Sequence, residues 1–462
     1  MKSKMNKIEL IEILNDWNFW KHELKIGTLR HDYLGKVRGF LKTNQVVTVT
    51  GPRRAGKSFL MRQTAHTLAA EGVPSANLLM VNLEDPRFTE LDAALLDQIY
   101  ETYLEALAPQ GPSYLFLDEI QEIDGWEKWV SAMHELQKAK LMISGSNAKL
   151  LSRELGTLLT GRHLDVTVFP LSFKEFLAFH GVTIADSLDA AQRRAEIARL
   201  LRRYLEFGSF PEVVLSEQKK DILLSYFEDL ANKDLLRRFK IRKSQELRAL
   251  VKFYLSHVAT LTTFHSLAKS LNTSASTIEK FSGYLEQVYL IFFLKRFSFK
   301  LREQEKSPRK LYAIDPGLST AVGFRFSENI GRLAENAVFL ELKRRQAFNP
   351  ALELYYWKDI HHREVDFVLK EGTTVTQLMQ VCWSLEDAKT KERELRSLAK
   401  AMRELRAREA LVVTETYEAT EALQARTVRF VPLWQWLLGA EKPAVRPTIR
   451  RQPQEQESDA DE

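Results

Sequence analysis

Residues 51–58 read GPRRAGKS, a spacing that fits G-x-x-x-x-G-K-[ST]. Gly51 and Gly56 permit a tight backbone path, so loop N–H groups and the N-terminus of the following helix face an anion. In such a cradle Lys57 reaches the β- and γ-phosphates of ATP and Ser58 offers a hydroxyl to Mg²⁺. Pro52, Arg53, Arg54, Ala55 and Phe59 complete the stretch expected to touch nucleotide. Further on, SYLFLDE ends in Asp118, expected to hold Mg²⁺, and Glu119, placed to polarise the attacking water. KLMISGSN supplies Ser144, Ser146 and Asn147, which could orient that water or sense the γ-phosphate; a plain Asn/Ser turn is the competing reading.

These side chains need a scaffold, and the flanking residues describe one. VVTV before the loop is a β-branched strand, and SFLMRQTAHTLAA after it has helical periodicity that stops at Gly72. YLFL is a continuous apolar run, as expected of a parallel strand covered on both faces. The strand AKLMISG is expected to set its polar end between the glycine-loop strand and the acidic strand.

GPRRAGKS, FLDEIQ and SGSNAKLLSRELGTLLTGRHLDVTVFPLSFKEFLAFHG together resemble a family of prokaryotic AAA+-type ATPases with a C-terminal domain of unknown function. The resemblance makes Arg162, in the GR before PLSF, a candidate sensor or trans-acting residue, whose guanidinium would offset transition-state charge. YLEFGSFPEVV (204–214) matches the family's lid segment, with Ser209 where a second glycine is common.

Beyond 215 the chain is helical and basic. KDLLRRFKIRK (233–243) carries six bases and one acid, and residues 295–310 carry seven bases and two acids. FHSLAKSL, the turn NTSAS and STIEKFSGYLEQVYL read as two helices, followed by paired strands in IFFLKRFSFK and RKLYAID. The pattern resembles the winged-helix segment of the same family, which implies a DNA-reading helix led by Thr277 and Lys280 and a wing carrying Lys295, Arg296, Lys300 and Arg302. Glu279 and Glu286 on that helix count against DNA, and a protein-contact role is the alternative.

The helix IGRLAENAVFLELKRR, two strands in LELYYWKDIHHREVDFVLK, a third in TQLMQVCWSL, a charged helix and the strand REALVVTET resemble a restriction-endonuclease-like PD-(D/E)xK core. Carried over, its Mg²⁺ ligands fall on Glu335, Asp366 and Gln380, and its lysine position falls on Cys382. A neutral thiol cannot polarise water, and an amide is a weaker ligand for a hard ion than a carboxylate. Glu364 is set aside as misplaced on its strand; Lys389 or Lys391 could migrate in. The adjacent His361 and His362 are read as a solvated turn.

The 462 residues, at about 100–200 per domain, suggest about three domains. The net charge of +6 is mild, so local clusters carry more information than the total. One cysteine excludes an internal disulfide framework and a cysteine-built zinc site. Neither a membrane span nor a signal peptide is apparent, and a cytoplasmic protein is expected. The expected fold is α/β: an N-terminal helical segment (1–30), a three-layer AAA+-type P-loop domain (31–180), a helical lid (181–240), a winged helix (241–310), a restriction-endonuclease-like α/β domain (311–437) and a disordered tail (438–462). The expected function is ATP hydrolysis with Mg²⁺ by a homo-oligomer that binds or remodels DNA, nuclease activity being absent. The alternatives are an ATP-regulated, Mg²⁺-dependent nuclease and a nucleotide-dependent protein-interaction switch.

Overall fold

The computed structural model describes residues 5–146, 161–323, 330–385, 387–423 and 425–439. Five parallel strands form the first sheet: β1 (Val46–Thr50), β2 (Leu78–Asn82), β3 (Tyr114–Asp118), β4 (Lys140–Gly145) and β5 (His163–Thr167), in the order β2-β3-β4-β1-β5. Every residue of β1 is buried, because helices cover both faces and leave no polar side to alternate with. β4 lies between β1 and β3, so the polar end of β4 does stand between the glycine loop and the acidic strand end.

The first residues are not a separate appendage. Helix Lys7–Trp17, capped by the Asn6 side chain, buries Leu10, Ile13 and Leu14 in the same apolar cluster as β2 and β3. The Asn18 side chain both donates to and accepts from the Met80 backbone, which pins the helix exit to β2.

Helices Arg194–Phe207, Pro211–Leu215 and Lys219–Asp229 follow, and the last runs into a π-helical segment, Leu230–Arg237. Next come helix Ser244–Ser256, β6 (Thr260–Thr262), helices Phe264–Ser270 and Ala275–Gln287, β7 (Ile291–Leu294), the short helix Leu301–Lys306 and β8 (Arg309–Ala313). These strands form an antiparallel sheet in the order β6-β8-β7. Ser274 caps helix Ala275–Gln287 by accepting from the Thr277 N–H, as its residue type favours.

The C-terminal part opens with helix Ile330–Phe348. Its sheet contains β9 (Leu352–Lys358), β10 (Glu364–Glu371), β11 (Thr374–Val381), β12 (Glu409–Thr414), β13 (Ala419–Leu423) and β14 (Arg426–Pro432), in the order β13-β14-β12-β11-β10-β9. Helix Ala388–Glu404 follows β11 and makes the crossover that lets β12 run parallel to it. One sheet face shares an apolar cluster with helix Ile330–Phe348, through Val338, Phe339, Phe367 and Met379; the other packs Val365, Leu378 and Cys382 against Leu398, Ala401 and Met402. The first cluster continues through β7 and β8 into Phe173, Tyr204 and Phe210. β8 therefore lies inside a core shared by the middle and C-terminal segments. Of the tail expected to be disordered, 438–462, Leu438 packs against the first cluster, and residues 440–462 lie outside the described residues.

Candidate functional site

The glycine loop leaves the C-terminal end of β1 with Gly51 at φ 140° and Gly56 at φ 96°. At Gly51 a Cβ would stand 2.1 Å from the Val168 carbonyl oxygen, so space as well as conformation demands glycine. Lys57 is buried, and its ammonium donates to the carbonyls of Gly51 and Pro52, each at 3.2 Å, and lies 3.5 Å from Glu119 Oε1. Ser58 hydrogen-bonds the Asp118 carboxyl, and Asp118 also accepts from the Ser144 hydroxyl. Ser144 Oγ in turn accepts the Glu119 N–H at 3.1 Å. Glu119 takes the left-handed conformation at φ 53°, which turns the chain immediately past the strand. Gln121 donates to Glu119 Oε2 at 2.6 Å.

Burial, and then the charge of Glu119, push the Asp118 carboxyl above its ordinary range, with Ser144 and Ser58 offsetting part of the rise. Burial pushes Glu119 upward too, but the Lys57 ammonium, Gln121 and Arg53 outweigh it and hold Glu119 low. Two adjacent buried carboxyls beside a serine hydroxyl and a lysine suit a divalent cation on a triphosphate. The residues present therefore fit ATP with Mg²⁺.

The loop arginines are paired with acids outside the cradle, although Arg53 still feels the Glu119 charge. Arg53 pairs with Glu84 at 2.7 Å and Asp234 at 2.9 Å; Arg54 pairs with Glu212 at 3.4 Å and Asp229 at 3.6 Å and lies over the Tyr226 ring. Both tie the loop to helices of segment 211–237. Phe59, in the first turn of helix Lys57–Ala70, is exposed and lies under the Arg62 guanidinium.

Asn147 lies outside the described residues, but Ser146 is buried at the end of β4 and accepts from Arg238 at 3.3 Å. Arg238 also lies 3.6 Å from Asp234, and its Nη1 is buried with no hydrogen-bond partner. The sequence shows Arg238 only as one base in the run 233–243; the π-helical segment that aims it at β4 leaves no signature in residue type.

Arg162 is elsewhere. It precedes β5, whose first residue pairs with Val46 at the start of β1, whereas the glycine loop leaves the end of β1. At about 3.3 Å per residue this separates Arg162 from the loop by roughly 15 Å. Its side chain is exposed and 3.4 Å from Glu135. An action on its own subunit's nucleotide is therefore corrected; only a neighbouring subunit's site remains open to it.

The candidate DNA residues divide. Lys280 is exposed on helix Ala275–Gln287, Lys300 and Arg302 are exposed beside Phe299, and Thr277 sits in the capping turn. Lys295 pairs with Glu305, and Arg296 donates to the Lys358 carbonyl of β9 at 2.5 Å. Arg296 ties the middle segment to the C-terminal sheet, and Lys295 makes a half-exposed pair within the middle segment. Helix Leu301–Lys306 occupies much of the stretch read as wing.

In the C-terminal sheet the expected metal ligands are engaged by protein groups. The Lys310 ammonium, on β8, lies 2.6 Å from Asp366 Oδ1, 2.8 Å from Glu335 Oε1 and 2.9 Å from Glu364 Oε1. Asp366 Oδ2 accepts the Val381 N–H at 2.8 Å, and Tyr312 donates to Glu335 at 2.7 Å. Gln380 Oε1 accepts the Asp366 N–H at 3.1 Å, while its amide donates to Glu394 at 2.9 Å. Burial pushes the Lys310 ammonium down, but Asp366 and Glu335 outweigh it and hold it firmly charged. Burial and the charge of Asp366 push Glu335 up to about 8, with Lys310 offsetting part.

Three expectations change here. Glu364, expected to stand apart from Asp366, shares Lys310 with it. The lysine beside these carboxylates is Lys310 of β8, whereas Lys391 pairs with Glu421. Glu335, Asp366 and Gln380 do not fit Mg²⁺, because a cation already lies among the carboxylates and both ends of the Gln380 amide are spent. Among the described residues no three His, Cys, Asp or Glu converge as a metal site, the His361–His362 turn included. Cys382 is buried among Val365, Leu378 and Leu398, and burial, then Glu394 and Asp366, push its thiol up to about 11.

Among the described residues, no helix is long and apolar enough to cross a membrane. Residues 43–177 match the family model described as an AAA domain; 198–329 and 330–436 match two models described as domains of unknown function, DUF8612 and DUF4143. Among solved structures, the Walker-type ATPase of Pyrococcus abyssi is similar at 13% identity and a TM-score of 0.41, over 64% of this chain and 95% of that one. AMPPCP-bound DnaA from Aquifex aeolicus is similar at 13% identity and a TM-score of 0.24, over 59% of this chain and 92% of that one. An uncharacterized protein of Haemophilus influenzae is 30% identical over 359 residues, 75% of this chain and 84% of its own length. The uncharacterized protein MJ1544 of Methanocaldococcus jannaschii is 32% identical over 409 residues, 86% of this chain and 88% of its own length. The chain carries an AAA-type P-loop domain and belongs to the family of that M. jannaschii protein.

Proposed function

We propose that this protein hydrolyses ATP and uses the cycle to bind or remodel DNA, through a winged helix and a nuclease-fold domain that has lost cleavage. The observation that carries the ATPase reading is the convergence of Lys57, Ser58, Asp118, Glu119 and Ser144 at neighbouring strand ends. Lys57 is stowed on the loop carbonyls and would turn to the β- and γ-phosphates, with the backbone of residues 51–59 lining the nucleotide. Ser58 and Asp118 would hold Mg²⁺, which supplies charge neutralisation on the phosphates. Glu119 stays ionised beside Lys57 and is suited to accept a proton from the attacking water. Asn147 and Arg238 serve the γ-phosphate side, and Arg162 serves a neighbouring subunit of a homo-oligomer.

For DNA, the supporting features are Lys280 on the second helix and an exposed tip of Phe299, Lys300, Leu301 and Arg302. A cationic tip with an exposed aromatic suits phosphate contact with stacking. A second reading, the nucleotide switch that binds protein, is favoured by Lys295 and Arg296, which are consumed within the molecule.

ATP turnover measured with duplex, junction and single-stranded DNA, across a salt series, separates the two. Stimulation by at least one DNA, fading as salt rises, is expected. Turnover unmoved by every DNA would favour the switch, and turnover surviving Lys57→Ala would remove the common basis of both.

A further inference from the structure

One lysine, Lys310 of β8, lies among the carboxylates of the C-terminal sheet. We propose that Lys310 is the resident cation of the C-terminal domain: its ammonium takes the place a divalent metal would hold in a PD-(D/E)xK core, and so closes that site to metals. Three carboxylates from two elements meet this one group: Glu335 from helix Ile330–Phe348, and Glu364 and Asp366 from β10. The Lys310 side chain is 3% exposed, so water does not compete for it. Its three donors find three carboxylate oxygens at 2.6–2.9 Å, the full complement of an ammonium.

Two of the three remaining carboxylate oxygens are committed as well. Asp366 Oδ2 takes the Val381 N–H, Glu364 Oε2 takes Lys358 at 3.1 Å, and Gln380 bridges the Asp366 N–H to Glu394. A divalent ion there would need about six oxygens near 2.1 Å and would stand against a buried positive charge. Lys310 thus does what a metal would do for the fold, gathering Glu364 and Asp366, which would otherwise repel, together with Glu335. It also fastens β8 of the middle sheet to β10 of the C-terminal sheet.

The experiment uses the full chain, free of nucleotide, in an Asp118→Asn background that weakens the other candidate cation site. Mn²⁺ binding is read by the loss of the free-ion electron paramagnetic resonance signal, and stability by thermal melting. In this parent no Mn²⁺ binding that depends on Asp366 is expected at up to about 1 mM. Lys310→Met should gain one Mn²⁺ site, lost again on adding Asp366→Asn, and Mn²⁺ should raise the melting temperature of Lys310→Met alone. If Lys310→Met folds only with Mn²⁺, that too supports the proposal; if it folds in neither condition, Lys310→Gln carries the same measurement.

Asp366-dependent Mn²⁺ binding in the parent would overturn the proposal and restore the active-nuclease alternative. A folded Lys310→Met or Lys310→Gln chain that gains no site would overturn it also. The inference rests on the degenerate-nuclease reading of this domain and not on DNA binding, so ATP turnover unmoved by DNA would leave it standing.

Discussion

The Ser209 N–H donates to Asp315 Oδ2 at 2.6 Å, and the Ser209 hydroxyl donates to the same oxygen at 3.1 Å. This joins two parts of the chain with different expected tasks. Ser209 precedes helix Pro211–Leu215, whose Pro211 ring approaches the P-loop at Gly56. Asp315 follows β8 and caps helix Pro316–Val322 by accepting the Leu318 N–H at 3.2 Å. The approach is close enough that a Cβ on Gly208 would stand 1.8 Å from Asp315 Oδ1. One strand, β8, therefore has the Lys310 cage near its start and the junction to the nucleotide domain just past its end.

Asp315 should make stability depend on pH. Burial pushes its carboxyl up to about 6, against an ordinary 3.8, with the Ser209 and Leu318 hydrogen bonds offsetting part of the rise. Between these values the folded chain binds more protons than the unfolded one. Stability contributed here is therefore highest at acid pH and falls as pH rises from about 4 to about 6, by roughly 3 kcal/mol. Denaturant unfolding of wild type and Asp315→Asn across that window should differ in slope by this amount. Parallel pH profiles would show that the junction stays solvated.

Glu119→Gln should bind ATP and fail to turn it over. The amide keeps the size and the Gln121 contact but cannot accept a proton, and loss of a general base costs about 10²–10⁴-fold in rate. Lys57→Ala should instead weaken binding and turnover together, because Lys57 is the buried cation of the cradle. Fluorescent-nucleotide titration beside a phosphate-release assay separates the two effects. A Glu119→Gln rate within tenfold of wild type would assign the water to another group.

What could be read from the sequence follows how local the signal is. Strand, glycine loop and helix occur within residues 45–72, so spacing alone located Lys57 and Ser58. Asp118 was legible because an apolar run ending in acid is also a local pattern. Lys310 was not, since its three carboxylates lie 25 to 56 residues away in sequence and meet it only when β8 docks on the C-terminal sheet. Arg296 looked like a wing base because sequence cannot show that the Lys358 carbonyl lies beside it. Arg162 lies beside the start of β1, away from the glycine loop at its end, a placement that only the parallel register shows.

Arg238→Ala should lower kcat for ATP by about 10²-fold, the usual effect of removing one charged or polar donor from a developing anion. The guanidinium is poised for this: one nitrogen touches Ser146, and another is buried with no partner. Asp234 would still hold Arg53, so the loop stays strapped and the melting temperature should shift by only a few degrees. Arg238→Lys should restore part of the rate by supplying charge without the fork. A fall in melting temperature with kcat unchanged would make Arg238 a structural tie between the π-helical segment and β4.

Cys382→Lys, the change that would rewrite β11 toward a nuclease strand, should damage the protein rather than revive it. The Cys382 N–H is fixed to the Val413 carbonyl at 2.9 Å, and its thiol lies in the cluster of Val365, Leu378 and Leu398. A lysine there must either bury an ammonium or push the cluster open, at a cost of several kcal/mol. The melting temperature should fall by roughly 10 °C if the C-terminal part melts with its neighbours as a unit of about 150–250 residues, at ~2–4 °C per kcal/mol. Cys382→Ala should lose far less, since it removes only one small buried atom. The opposing force is electrostatic: Glu394 and Asp366 are near enough to raise the thiol, and both would attract an ammonium. An unchanged melting temperature in Cys382→Lys would show that this attraction exceeds the cost of burial, and that β11 can present a second cation to the cage that Lys310 already fills.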